Sequence, residues 1–485
     1  MSANTLSTRK PIYYVHSIIS LLIMLCFGFL PPLGGDITPY GMKIIGVFLG
    51  LLYGWIFIEL LWPSLAAMVI LAFSGYGSIN AVFGEGFSDS TVLMLFFIFA
   101  VVGFMDRTGV IKYIGEWFVS RKICVGRPWM FTLLLFVSVA VISALISLAA
   151  ALVIMYPLFY RICENVGFKK DDKYVVFVTV GFVAIGSAAL AMLPFRVLGT
   201  MMSGFMMSGV GYTYNQALFF LLIFLATSIL IFAYLFVGKY ILRIDVSPLK
   251  INEDTYGDLR NKKMTKPQWY AIVTILVFAA IMIVPEFLPK TLTITAALKK
   301  FGAVGACVVC LLMITLITYQ NKPLDSIRDC LRAGINWDLI IMMSASMPLA
   351  SALESDEAGI LSTLMGFVLP LIEKSGPIVF IIIVVIGLGI ATQFIHNAIL
   401  MVIFTPTLCA ICVEIGVPVD LYIVLMSLTC QTAYLTPGAS AAGAIMHGNI
   451  DWISSKNIYL GGTLSIIGSW LIYLSIILPL GLLIY

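Results

Sequence analysis

The chain has 485 residues, 61% of them hydrophobic and only 11% charged, with a formal net charge of +4. Soluble domains average about 45–50% apolar and about 25% charged residues, so these proportions exclude a soluble globular protein and a disordered chain alike. The apolar residues come in runs of about 17–25, long enough to cross a bilayer as helices, whereas a membrane β-barrel alternates over segments of about ten.

The expected fold class is therefore an all-α polytopic membrane protein. Arg9 and Lys10 precede a run over 12–30 that ends Phe29-Leu30-Pro31-Pro32. It lacks the small residues of a signal-peptide cleavage site and is read as a retained span. Further spans are expected at 44–59, 62–77, 90–105, 174–210, 217–237, 268–285, 301–320, 338–353, 418–446 and 458–485. The runs 129–160 and 376–413 are too long for one straight span, and each is interrupted in its middle by polar or small residues. If each crossed once, later loops would fall on the wrong sides, so both are read as re-entrant hairpins. With the N-terminus cytoplasmic and the C-terminus external, 22 of the 28 Lys and Arg lie in inner loops. Lys43, Lys290, Lys299, Lys300 and Lys374 lie outside, and Arg196 lies within a span. The expectation is about 11 transmembrane helices plus two hairpins, in a cell (inner or plasma) membrane. No Lys/Arg tract is dense enough for nucleic acid. Cys307-x-x-Cys310 and Cys409-x-x-Cys412 sit in apolar runs without a loop or partner ligands, and are read as small residues at helix contacts. No phosphate-cradling Gly-rich loop is present, so energy is expected from gradients.

Two halves follow the same order. Asp89-Ser-Thr-Val-Leu-Met-Leu leads to Asp106-Arg-Thr-Gly109, and Asp338-Leu-Ile-Ile-Met-Met-Ser leads to Glu354-Ser-Asp-Glu-Ala-Gly359. An amphipathic segment follows each (Ile111–Phe118 and Ile360–Val368), then a hairpin, then a span with a central proline, Pro194 or Pro437. Copy one starts from outside and copy two from inside, which reads as an inverted-topology repeat, a signature of many secondary transporters. The expected divisions are a tail and first span (1–43), repeat one (44–237), a cytoplasmic linker (238–267) and repeat two (268–485). Hairpin tips and broken spans should meet at a midplane cavity, because irregular backbone is tolerated there only where protein or water satisfies it.

This arrangement resembles the divalent anion/sodium symporter family of the ion transporter superfamily, from about residue 44 to 485. That family carries Ser-Asn-Thr at each hairpin tip, ten residues before a proline, and a Thr-Pro break in the span after each hairpin. Ten residues before Pro406 stand His396-Asn397-Ala398; ten before Pro157 stand Ser147-Leu148-Ala149. Leu435-Thr436-Pro437-Gly438 is similar to the family's break, whereas Met192-Leu-Pro194-Phe-Arg196-Val-Leu-Gly199 departs from it. The resemblance implies an elevator-type transporter, a homodimer, asparagines on substrate carboxylates, and sodium at each tip and break. Leu148 and Ala149 offer no side-chain oxygen, which leaves the second site, around Asn397 and Thr436-Pro437, as the candidate for Na+. No other cofactor and no metal centre is expected.

Arg196 is the sharpest signal, since a charge within a span is costly and marks function. It can supply the fixed positive charge a bound cation supplies elsewhere and fork onto a substrate carboxylate, or it can pair with a helix C-terminus or reach an interface. His396 is a candidate for anion contact or proton coupling, against a neutral tip histidine bonded to backbone. His447 and His16 are read as structural and interfacial. Asn397 is the foremost substrate contact; Thr392, Gln393, Thr436 and Ser440 lie near the same tip and break, with Ser143 and Ser147 near the first. The candidate set is Ser147, Arg196, His396, Asn397, Thr436 and Pro437 for substrate, with Asn397, Thr436 and, for a proton, His396 for the coupling ion. The function expected is secondary transport of a small organic anion, a di- or tricarboxylate, by cation coupling or anion exchange. The alternatives are an inorganic-ion carrier of the same superfamily, for arsenite or for sodium against protons, and a membrane-embedded enzyme or sensor. The chain shows no paired core acids, no nucleophile–base or metal cluster and no soluble domain to favour these.

Overall fold

The structure, a computed structural model, describes residues 11–249, 263–288, 293–363, 366, 370, 376–437 and 439–485. Residues 250–262 of the expected linker, Lys290, Lys374, Gly438 and much of the second amphipathic segment beyond 363 lie outside the described residues. Among the described residues, nine helices are long and apolar enough to cross a membrane. The only sheet among them is a two-stranded ribbon, β1 (Thr318–Tyr319) against β2 (Lys322–Pro323). An all-α multi-pass membrane protein is what results.

Helices α1 (Pro11–Cys26) and α2 (Pro39–Phe57) pack as a pair. A Cβ on Gly50 would come within 2.7 Å of the Ser20 carbonyl oxygen, so glycine allows this close approach. The run expected over 62–77 is α3 (Leu61–Leu71) with a π turn to Tyr76, where Gly75 takes φ 107°. Helix α4 (Ile79–Ser88) was not expected from the sequence. Helix α5 (Ser90–Thr108) opens on the Asp89 side chain, which accepts from the Thr91 amide at 2.7 Å, and closes at Gly109 with φ 68°. The first amphipathic segment is helix α6 (Val110–Val119).

The first hairpin is α7 (Pro128–Leu145) and α8 (Leu148–Val166), which pack together. The run 174–210 is two helices, α9 (Lys173–Leu190) and α10 (Val197–Val210), with the break over 191–196; α11 (Gln216–Phe236) follows. In the second half come α12 (Lys266–Phe287), α13 (Thr293–Leu316, kinked at Gly302), α14 (Ile327–Gly334) and α15 (Trp337–Glu354). The second hairpin is α16 (Pro377–Ala391) and α17 (Asn397–Glu414). The run 418–446 divides into α18 (Val419–Cys430) and α19 (Ala441–His447), broken over 431–440. The chain ends with α20 (Ser455–Ile472), a π turn and α21 (Leu478–Ile484). The helices entering the breaks, α9 and α18, are the innermost: every residue of α18 but Asp420 is buried.

Short, polar α14 escaped the hydropathy reading, yet it makes one of the tightest contacts of the fold. A Cβ on Gly103 of α5 would lie 2.1 Å from the Cys330 carbonyl oxygen, and one on Gly334 only 1.8 Å from that of Phe99. Arg107 clamps the same pair by forking onto Asp325 at 2.7 and 3.2 Å. Gly334→Ala is expected to separate these backbones and cost about 1–3 kcal/mol. Gly84→Ala, which meets nothing within 4 Å, is the control and should leave the melting temperature of the purified protein unchanged or slightly raised.

The first and second halves of the chain are tied at two points. Asp171, held at φ 62°, accepts from the Ser454 amide at 2.7 Å and from Asn457 Nδ2 at 2.8 Å. Burial pushes the Asp171 carboxyl up, but these hydrogen bonds and Lys170 outweigh it and leave it below the usual carboxylate range. At the start of α18, Asp420 accepts from the Asn215 amide at 2.8 Å. In each case an acid ahead of one broken span holds the chain just after the other.

Candidate functional site

At the first tip the α7 chain ends in a hairpin turn rather than a helix cap. Ile146 leaves helical geometry and Ser147 is extended, so its Oγ can accept from the Ala150 amide at 3.1 Å and start α8. The last carbonyls of α7 are then left to find donors. Arg196 supplies them: Nη1 donates to the Leu145 oxygen and Nη2 to the Ile146 oxygen. Its side chain reaches across from the break, and the residue is only 5% exposed. A guanidinium at a helix C-terminus meets the negative end of the helix dipole, which offsets part of the cost of burying the charge. Its Nε has no hydrogen-bond partner among the described residues.

The break itself closes on Tyr214, whose hydroxyl donates to the Gly199 oxygen at 2.7 Å and the Pro194 oxygen at 3.1 Å. A Cβ on Gly199 would sit 2.2 Å from the Pro194 oxygen, so this close return of the chain requires glycine. Arg196 stands as the N-cap residue of α10, with its amide donating to the Leu193 oxygen at 3.0 Å.

The second tip is built on uncharged groups. Gln393 fills the angle between tip and break. Its Nε2 donates to Gly389 O and Thr432 O, both at 2.9 Å, and its Oε1 accepts from the Leu435 amide at 3.1 Å. Thr436 Oγ1 donates to the Gln393 oxygen at 2.5 Å, and Thr392 Oγ1 to the Cys430 oxygen at 3.0 Å. Asn397 Nδ2 donates to Gln431 Oε1 at 3.0 Å, while its Oδ1 takes the Ala398 amide at 2.8 Å. His396 caps α17 through Nδ1, which accepts from the same amide at 3.3 Å. That contact uses the Nδ1 lone pair, and the same amide is shared with Asn397 Oδ1. Across the break, Ser440 Oγ donates to Ala433 O, and His447 Nε2 to Leu435 O at 3.0 Å. Gly443 plays the part of Gly199, its Cβ position lying 2.5 Å from Thr436 O.

The expected residues thus gather in two sets: Ser147 and Arg196 at the first tip, and His396, Asn397, Thr436 and Pro437 at the second. The tips are carried on neighbouring elements, since α8 packs on α19 and α17 packs on α10. The fork of Arg196 is engaged by backbone carbonyls rather than open to a carboxylate. Ser143 Oγ is buried without a partner among the described residues and lies against Gly186. Tyr214, Gln431 and the bond of His447 to the break were not anticipated. Tyr214 lies past the end of the apolar run, and His447 stands 12 residues from its partner, so spacing alone carried no signal for either.

A family model described as a citrate transporter matches residues 45–430. The chain belongs to the citrate transporter family. The match to the citrate transporter family takes in both hairpins, Arg196 and Asn397, and ends at Cys430, where the second break begins. A sodium-dependent dicarboxylate transporter, SdcS of Staphylococcus saprophyticus, is 24% identical over 215 residues. That alignment covers 44% of this chain and 39% of the relative, so the chain matches well under half of that protein's length. Both names are those of transporters, not enzymes.

Proposed function

We propose that the chain moves a small organic anion, a di- or tricarboxylate, across the membrane as a secondary transporter. The observation that carries this is Arg196, a buried cation at the point where α8 and α10 begin. Helix N-termini and a guanidinium together favour a carboxylate. With its fork engaged, the Nε–H of Arg196 is the one guanidinium donor without a partner among the described residues; it is buried, so a carboxylate reaches it, beside Ser147, only when the tip opens. At the second tip Asn397, next to the start of α17, is the partner for a second carboxylate, with Thr436 and Pro437 shaping the break.

The two halves act as inverted repeats, N-terminus cytoplasmic, and the hairpins and broken spans travel together past the other helices in an elevator movement. The paired ties of Asp171 and Asp420 support this, because each joins a broken span of one half to the other half. The homodimer is carried over from the family resemblance.

Reconstitution into proteoliposomes tests the reading. Labelled citrate and succinate should enter against unlabelled carboxylate inside. Asn397→Ala should weaken apparent affinity about ten- to a hundredfold, the worth of one charge-assisted hydrogen bond. Movement of arsenite with no movement of any carboxylate would sink the proposal.

A further inference from the structure

We infer that side-chain donors of this chain occupy key carbonyls at both hairpin tips and breaks, Arg196 at the first tip and Tyr214 at its break, and Thr392, Gln393, Ser440 and His447 at the second, so that the protein needs no sodium ion to complete either one. Broken membrane helices leave carbonyls and helix C-termini that other transporters satisfy with Na+ or H+. Those groups must be satisfied at membrane depth by something. Here, among the described residues, the carbonyls named below take their donors from the chain itself.

At the first tip and break, Leu145 O and Ile146 O accept from Arg196, and Pro194 O and Gly199 O from Tyr214. Leu193 O takes the Arg196 amide. At the second, Cys430 O accepts from Thr392, Thr432 O and Gly389 O from Gln393, Ala433 O from Ser440, and Leu435 O from His447. Gln393 O accepts from Thr436, and Thr436 O from the Ala439 amide. A cation needs several oxygens converging on one open point. The Arg196 guanidinium stands where the α7 carbonyls point, and the Gln393 amide stands between tip and second break. The first position keeps a full positive charge. The second is held by dipoles alone. Sodium at the second site, which the sequence pattern invited, does not fit a position already filled by Gln393.

The test uses the full chain in detergent, without substrate, so that it is independent of the carboxylate reading. Thermal unfolding is followed in sodium, lithium, potassium and choline chlorides at equal ionic strength. The wild-type midpoint is expected to be the same in all four. Arg196→Ala and Gln393→Ala are expected to melt lower in choline and to recover saturably in sodium, because each frees carbonyls for an ion. A saturable rise specific to sodium in the wild type overturns the inference. So do cooperatively melting variants whose midpoints in sodium and choline coincide. If Arg196→Ala does not fold, the wild type and Gln393→Ala still decide the matter. Loss of carboxylate uptake under every ionic condition would strike the transport reading and leave this result standing.

Discussion

Replacing Arg196 by alanine is expected to lower stability by about 2–4 kcal/mol and to reduce carboxylate uptake at least about a hundredfold. The substitution removes a costly buried charge, which is a gain, but it leaves Leu145 O and Ile146 O without donors inside the protein. Each orphaned carbonyl costs about 1–3 kcal/mol, and the lost side-chain volume adds a cavity. The charge had also been placed against a helix C-terminus, so removing it forfeits that attraction. Arg196→Lys keeps the charge but cannot fork onto two oxygens, and it should recover only part of the loss. Melting of the purified variants and uptake into proteoliposomes measure the two effects separately. A variant that melts normally and fails to transport would place the role of Arg196 in substrate contact; one that melts low and also fails to transport would place it in the tip itself.

Gln393→Glu is expected to be nearly as severe. The amide donates to two carbonyl oxygens at 2.9 Å, and a carboxylate would set a third oxygen against both. Two hydrogen bonds are lost and replaced by repulsion at a buried position, a loss of about 3 kcal/mol or more. A protonated acid regains one donor, so the loss should be smallest at low pH and grow as pH rises. Gln393→Met, uncharged and of similar volume, should show a smaller loss that does not vary with pH. Melting curves across pH distinguish the pair; coincident Glu and wild-type curves would show that Gln393 Nε2 is not a donor there.

Much of the membrane architecture was legible because hydropathy is a local property. The runs marking α7–α8 and α16–α17 were long and interrupted, and the interruptions are where the turns fall, at Ser147 and at 392–396. Both broken spans declared themselves through Pro194 and Pro437. Helix α14 did not, because eight residues that include two Arg and an Asp carry no span signal, although its contact with α5 rests on two glycines.

The candidate residues were legible as types and positions but not as partnerships. Arg196 stood out as a charge in a span, and the sequence left open whether it met a carboxylate or a helix end. The choice of Leu145 and Ile146 as its partners spans about 50 residues of chain and depends on how the break folds back on the hairpin. Gln393 looked like one polar residue among several, and His447 like a structural histidine outside the site. Composition and periodicity determined the class, the approximate spans and the places where helices must break, since those follow from the cost of burying backbone and charge in lipid. Only the tertiary structure decided which donors meet the freed carbonyls, since hydrogen bonds need donor and acceptor within about 3 Å and only folding brings residues so distant in the chain that close.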